Sequence, residues 1–339
     1  MLADKIAGYE ETGEFLMTTP AQYKDTYPFL REVDCFALCN EQMHLQSAYV
    51  NFFKGLSKFP KFKSAKHSRK SYTTNNQRGT VAVLEKGVKL PKVGIVRAKI
   101  HRQPPDDWVL KSATVTQSSD GKYYVSVLFE YTADIVSVPI SDNAIGLDYA
   151  SDGLFVDSNG KKGSSHKYYR ESQKKLAKAQ RRLSRMQGSK KSELKSRNFL
   201  RQLAKVNKIH RHIANQRMDN LHKLSTEIAN QYDVVCVEDL NMRSMSNKGF
   251  GNGKATMDNG YGMFLNMLEY KLANRGKHFV KVDKWYPSSQ ICYCCGKVHT
   301  EMKDLSFRVM RCDCGLTMNR DQNAAMNIKN EGVRLLRTA

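Results

Sequence analysis

Apolar residues recur along this chain first at helical spacing, then at every second position, then at helical spacing again, so the pattern itself divides the sequence. From Met1 to about Asn76 the period is three to four, as in the series Phe36, Cys39, Met43, Gln46, Val50, Phe53, with turn signals at Thr18-Thr19-Pro20 and Tyr27-Pro28. This predicts a small helical bundle. It closes in a basic, aromatic loop between Phe52 and Lys63, which Pro60 and the local charge keep out of a helix. From Thr80 to Val138 the period falls to two, clearest in Lys122-Tyr123-Tyr124-Val125-Ser126-Val127-Leu128-Phe129. Turns fall at Glu85-Lys86-Gly87, Gln103-Pro104-Pro105 and Ser119-Asp120-Gly121. Short strands at this spacing predict a small antiparallel β-barrel.

A further strand begins at Ala144-Ile145-Gly146-Leu147-Asp148 and folds back through Leu154-Phe155-Val156-Asp157 as a hairpin. Two long helical segments follow, about 167–187 and 192–230, parted by Gly188-Ser189. The second carries Phe199, Leu203, Val206, Ile209, Ile213, Leu224 and Ile228 on one face. Asp233-Val234-Val235-Cys236-Val237-Glu238 has the near-continuous apolar run of a buried parallel strand ending in acid. The glycine-rich stretch 248–262 reads as a loop. A helix from Phe264 to Arg275, a strand from His278 to Asp283, a cysteine cluster within 292–314 and a last helix from Gln322 to Leu336 complete an α+β, multidomain chain.

Charge adds a partner to this outline. The 339 residues hold 55 Lys+Arg against 33 Asp+Glu, a formal net charge of +22. Residues 161–223 alone hold 20 Lys+Arg against 3 Asp+Glu, which gives +17 on one helical hairpin. A solvated helix face mixes signs in i,i+4 pairs. Enrichment of one sign along two helices is the footprint of a phosphate backbone. Lys174, Lys178, Arg181, Arg182, Arg185, Arg201 and Arg217 on the hairpin, with Lys61, Lys63 and Tyr72 nearer the N-terminus, are the expected nucleic-acid contacts. No run reaches the ~18–20 apolar residues of a membrane span, and MLADKIAGYEETGE has no secretory signal, so a cytoplasmic, reducing setting is expected. Eight cysteines there are metal ligands or buried thiols rather than disulfides.

Four of them have metal-ligand spacing. Cys292-x-x-Cys295-Gly296 and Cys312-x-Cys314-Gly315, with sixteen residues between Cys295 and Cys312, form a two-knuckle tetrathiolate pattern for structural zinc. The second knuckle is one residue short, which leaves Cys294 as an alternative fourth ligand to Cys314. Cys35, Cys39 and Cys236 read as core thiols.

Three acids stand out by placement: Asp148 within an apolar strand, Glu238 at the end of another, and Asp321 at the start of the last helix. Each alone has a plain explanation, as partner of a lysine, as a solvated strand end, or as a complement to the helix dipole. Together they match the carboxylates that hold two magnesium ions for phosphodiester hydrolysis. Asp142, Asp152, Asp157 and Asp239 fall in turns or beyond strand ends and read as solvated.

The segments FFKGLSKFPKFKS, SYTTN, AIGLDYASDGLFVDSNG, HRHIANQRMDNLHKLS, VVCVEDLNM, YPSSQICYCCG and CDCGLTMNRDQNAAMNIK together resemble the TnpB proteins of insertion sequences, relatives of the type V CRISPR effectors. The resemblance implies a helical recognition region at 1–76 and a wedge-like β-barrel at 77–140. It further implies an RNase H-like (RuvC) nuclease domain at 141–339, with its basic hairpin at 166–230 and a zinc ribbon at 288–318. It places the three RuvC motifs on Asp148, Glu238 and Asp321. It also implies a transposon-associated endonuclease whose partners are a guide RNA from the transposon end and target DNA cut beside a short motif. Family members open with a basic strand ahead of the first helix, whereas this chain starts within that helix, so a barrel lacking one strand is expected. Two other functions fit the same residues: guided DNA binding without cleavage, and a guide-independent RuvC-type resolvase.

Overall fold

The structure, a computed structural model, describes residues 1–13, 16–63, 68–163, 166–186, 195–247 and 253–338. Two compact units divide it, Met1–Ala133 and Asp134–Ala339.

The first unit opens with helix α1 (Leu2–Thr12), which Gly13 ends in the left-handed conformation, and continues through short 3₁₀ turns into α2 (Cys35–Phe53). Asp34 caps α2 by accepting from the Ala37 backbone N–H at 3.1 Å. Its second carboxylate contact, from the Thr74 hydroxyl at 2.6 Å, ties the helix to strand β1 (Ser71–Asn75). Asn40 adds a bond to the Thr73 carbonyl at 2.8 Å. These polar anchors set the rotation of α2. Ala37 and Tyr49 turn inward, and the series carrying Cys39, Met43, Val50 and Phe53 faces out. The apolar series therefore marks the exposed face, and Cys35 and Cys39 are exposed thiols rather than core ones.

Strand β1 also corrects the helical expectation for residues up to 76, since it pairs antiparallel with β5 (Val109–Gln117), which pairs with β6 (Tyr123–Glu130). A second antiparallel sheet joins β2 (Ala82–Leu84), β3 (Gly87–Leu90) and β4 (Gly94–Arg97). Val81, Val88, Leu90 and Ala113 form one apolar cluster between the sheets. Among the described residues no ladder joins the two sheets into a closed barrel.

The second unit is built on a four-stranded sheet in the order β10-β9-β7-β8. Its strands are β7 (Ala144–Tyr149), β8 (Phe155–Asp157), β9 (Val234–Glu238) and β10 (His278–Val282). The β7–β8 hairpin is antiparallel, and β9 lies parallel to both β7 and β10, as the uninterrupted apolar run requires. Between β8 and β9 run α3 (Tyr168–Met186) and α4 (Arg197–Gln231); the Gly188-Ser189 break lies outside the described residues. After β9 come α5 (Met242–Met245), α6 (Gly253–Asn259) and α7 (Tyr261–Ala273), so part of the expected glycine-rich loop is helical. A small hairpin of β11 (Val309–Arg311) and β12 (Thr317–Asn319) precedes α8 (Arg320–Thr338).

Side-chain parity assigns the two faces of this sheet. Ile145 and Leu147 of β7 and Val235 and Val237 of β9 point to α4 and α7, where Leu221, Ile228, Phe264 and Leu268 complete the main core. Val234 and Cys236 point the other way, to Ile328 of α8. Gly146 is required there, because a Cβ on it would sit 2.0 Å from the Ala325 carbonyl oxygen of α8. At Gly332, farther along α8, a Cβ would meet the Cys236 sulfur at 2.4 Å. These two close approaches lay α8 directly across β7 and β9. Among the described residues, no helix is long and apolar enough to cross a membrane.

Candidate nuclease centre and cysteine cluster

Parity continues from the core into the candidate centre. If Gly146 faces α8, so does Asp148 two residues on; if Cys236 faces α8, so does Glu238. Asp321 lies in the first turn of that helix. Three elements thus deliver three carboxylates to the carboxyl edge of the sheet, the place where open α/β sheets carry their sites. All three are half-buried, and none is in an ion pair among the described residues. Burial, and then the neighbouring charges of Asp321 and Glu238, hold the Asp148 carboxyl well above the usual carboxylate range, with Arg320 and the Tyr149 backbone N–H acting in the opposite direction. Burial pushes Glu238 up to about 7. Their oxygens do not close to within 4.8 Å of one another as a single ligand set. A hard divalent cation suits such a donor set, since oxygen ligands with uncompensated charge are what magnesium takes.

Of the flanking acids expected in solvent, Asp142 and Asp152 are exposed and pair with Arg337 and Lys162 at 2.8 and 3.1 Å. Asp157 departs from that expectation. It is buried, and its Oδ1 accepts from the backbone N–H groups of Asn159 and Lys161 at 2.9 and 2.8 Å, which fixes the turn after β8.

The cysteines converge at the β11–β12 hairpin. The sulfurs of Cys292, Cys295, Cys312 and Cys314 all lie within 4.8 Å of one another. Cys292 is 3.6 Å from Cys314 and Cys295 is 3.5 Å from Cys312, close to the ~3.8 Å edge of a tetrahedron with 2.3 Å metal–sulfur bonds. Cys294 is exposed and outside the group, so Cys314 is the fourth member of this metal-competent cluster. The Cys312 thiol is drawn down to about 6, first by the Cys314 backbone N–H and then by His299. His299, buried with its Nδ1 3.0 Å from Glu301 Oε1, is a neighbour that the cysteine spacing gave no sign of.

Residues 126–249 match a family described as "Probable transposase", and residues 261–328 match the Cas12f1-like TNB domain. A Streptomyces pristinaespiralis protein named "Putative RNA-guided DNA endonuclease" is 34% identical over 312 residues, 90% of this chain and 73% of that one. The chain belongs to the TnpB family. A relative of the same description from Escherichia coli K12, InsQ, is 33% identical over 86% of this chain and 73% of its own length. Among solved structures, that of a Cas12f1–sgRNA–target DNA complex has a chain with the same fold, at TM-score 0.54 and 16% identity, over 97% of this chain and 79% of that one. The Cas12f-like fold of this TnpB chain is thus established independently of its individual motifs.

The expected nucleic-acid contacts of this TnpB protein separate by environment. Lys174, Lys178, Arg181, Arg182 and Arg185 of α3 and Arg201 of α4 are exposed, and the two helices pack through Leu176, Phe199 and a Gln202 bond to the Ala179 carbonyl at 2.9 Å. Lys61 and Lys63 are exposed, with Lys63 paired to Glu41, and Tyr72 is half-buried. Arg217 is half-buried in an ion pair. Its guanidinium pairs at 3.1 Å with Asp258, a buried acid that also accepts from the Tyr169 backbone N–H at 3.2 Å, so Arg217 joins α4 to α6 and α3. Sequence reasoning also missed Arg320. This buried guanidinium reaches Ser289 at 3.3 Å and is the positive charge closest in effect to Asp148.

Proposed function

We propose that this chain is a transposon-associated, RNA-guided DNA endonuclease that cuts by magnesium-dependent phosphodiester hydrolysis. The observation carrying the reading is the convergence of Asp148, Glu238 and Asp321, unpaired, from two neighbouring parallel strands and the helix crossing them. Uncompensated carboxylates raise one another's proton affinity and lower stability unless a cation joins them. The relatives' names support the guided character, and the likeness to the Cas12f1 complex supports RNA and DNA as the partner classes. Two magnesium ions, when bound, would activate the attacking water and steady the leaving oxygen. Asp148, Glu238 and Asp321 would hold them, and Arg320 would limit the mutual repulsion of the acids.

The division of labour follows. Region 1–76 and the sheets of 77–140 take guide RNA and the motif beside the target. Region 141–339, RNase H-like (RuvC) in type, does the cutting. Its hairpin 166–230 tracks the guide–target duplex by backbone and A-form geometry, and a zinc ribbon at 288–318, held by Cys292, Cys295, Cys312 and Cys314, braces the start of α8. The setting is the cytoplasm and the guide derives from the transposon end. Sequencing the RNA that co-purifies with the protein, then offering DNA matched to it, tests the reading. A defined element-end RNA with cutting of matched DNA is the expected result, and cutting of branched DNA without RNA is the result for a resolvase.

A further inference from the structure

The chain's two tryptophans are mounted differently. Trp108 is half-buried and stacks on Tyr131 with ring centres 4.4 Å apart and planes 9° apart. Trp285 is 80% exposed. A large aromatic surface left in water is unfavourable for an isolated fold, and the backbone that carries this one is fixed by hydrogen bonds. Val282, the last residue of β10, pairs with Glu238, so the chain leaves the sheet at the same edge as the catalytic acids. There Asp283 accepts from the Trp285 backbone N–H at 2.7 Å through its side chain and from the Tyr286 N–H at 3.0 Å through its carbonyl, which locks a tight turn. Tyr286 anchors the far end in the cluster of Val234, Val282 and Ile328. The Lys284 ammonium lies 5.1 Å from the Trp285 ring centre.

An exposed indole on a hydrogen-bonded turn, beside a cation and at the same sheet edge as a carboxylate site for phosphodiesters, has the parts of a single-strand platform: a face for a base and a charge for its phosphate. We infer that Trp285 and Lys284 form a stacking subsite for an unpaired base of the DNA strand being led to Asp148, Glu238 and Asp321. This rests on the nuclease reading of those acids. Trp285 is a positioning residue here. The acids hold the reacting centre, and the platform fixes which phosphate reaches it.

The test uses the full chain with its co-purified RNA, with Trp108→Phe to leave Trp285 as sole indole and Asp148→Ala to prevent cutting. The ligand is an oligothymidylate of about 12 nucleotides, within the span that such surfaces cover. Saturable quenching of Trp285 emission is expected. Trp285→Ala should weaken oligonucleotide binding, read by anisotropy, about five- to a hundredfold, the usual worth of one stacked base. Trp285→Phe should recover most of it. With Asp148 restored, Trp285→Ala should raise KM for guided cutting and leave kcat nearly unchanged, a split that a merely structural role would not give. Unchanged emission, or equal oligonucleotide binding by the Trp285→Ala protein, would overturn the platform. Loss of the nuclease reading would show separately, as absence of cutting in the protein with every acid intact, while the emission still decides for or against the platform.

Discussion

Replacing Glu238 with Gln should make the magnesium-free protein more stable while ending its activity. Burial lifts the Glu238 carboxyl from 4.5 to about 7. A lift of that size disfavours the folded, ionised state by about 3 kcal/mol, which partial exposure and solvent screening reduce to ~1–2 kcal/mol. The sign follows from proton linkage. A carboxyl whose pKa is higher in the folded state than in the unfolded one binds protons preferentially when folded, so stability falls as pH rises from 4.5 through about 7. At pH 8 the amide variant escapes the whole penalty, and below pH 4.5, where the acid is protonated in both states, the advantage disappears. In a domain of this size the gain amounts to a rise in Tm of roughly 2–8 °C. Thermal melts followed by circular dichroism, at several pH values in buffer free of magnesium, measure it. Added magnesium should then raise the Tm of the unaltered protein more than that of the variant. Equal melting of the two proteins at pH 8, or a difference constant between pH 4.5 and pH 8, would refute the assignment of strain to this carboxylate.

Metal analysis should find one zinc per chain. Cys314→Ser should release it and lower the Tm, whereas Cys294→Ser should keep it, because of these two only Cys314 lies within the sulfur cluster. Arg217→Ala should destabilise the protein by about 3–5 kcal/mol, the cost of leaving a buried Asp258 unpaired; chemical denaturation checks this against Arg181→Ala, an exposed change expected within about 0.5 kcal/mol. Reversing the charges of Arg181, Arg182 and Arg185 should weaken duplex binding and flatten its dependence on salt, with melting unaltered, as salt titrations would show.

The acids were legible in the sequence because their surroundings are strongly patterned. A carboxylate inside AIGLDY or closing VVCVE stands against an apolar run, and the parallel pairing of β7 and β9 follows from the same runs. Cysteine spacing gave the metal cluster, but the short second knuckle left its fourth member open until the sulfurs were placed in space. The N-terminal unit was harder to read. Helix α2 has apolar residues on more than one side, and its orientation is set by Asp34 and Asn40 reaching Thr74 and Thr73 on β1, contacts between segments that periodicity does not register. The Arg217–Asp258 pair was not legible for a related reason. In a stretch so rich in lysine and arginine, nothing local separates the one guanidinium that meets Asp258 from those that face solvent. The buried state of Asp157 and the place of Arg320 beside Asp148 likewise depend on turns and neighbours distant in sequence.

The most direct measurement is guided DNA cutting, in magnesium, by proteins in which Asp148, Glu238 or Asp321 is singly replaced by Ala, each assayed with the co-purified RNA and matched DNA and with target binding followed in parallel. The account predicts that each substitution abolishes cutting while RNA and target binding stay within about threefold of the unaltered protein, since affinity resides in base pairing and the basic hairpin. Retention of magnesium-dependent cutting by any one of the three would contradict the three-acid centre.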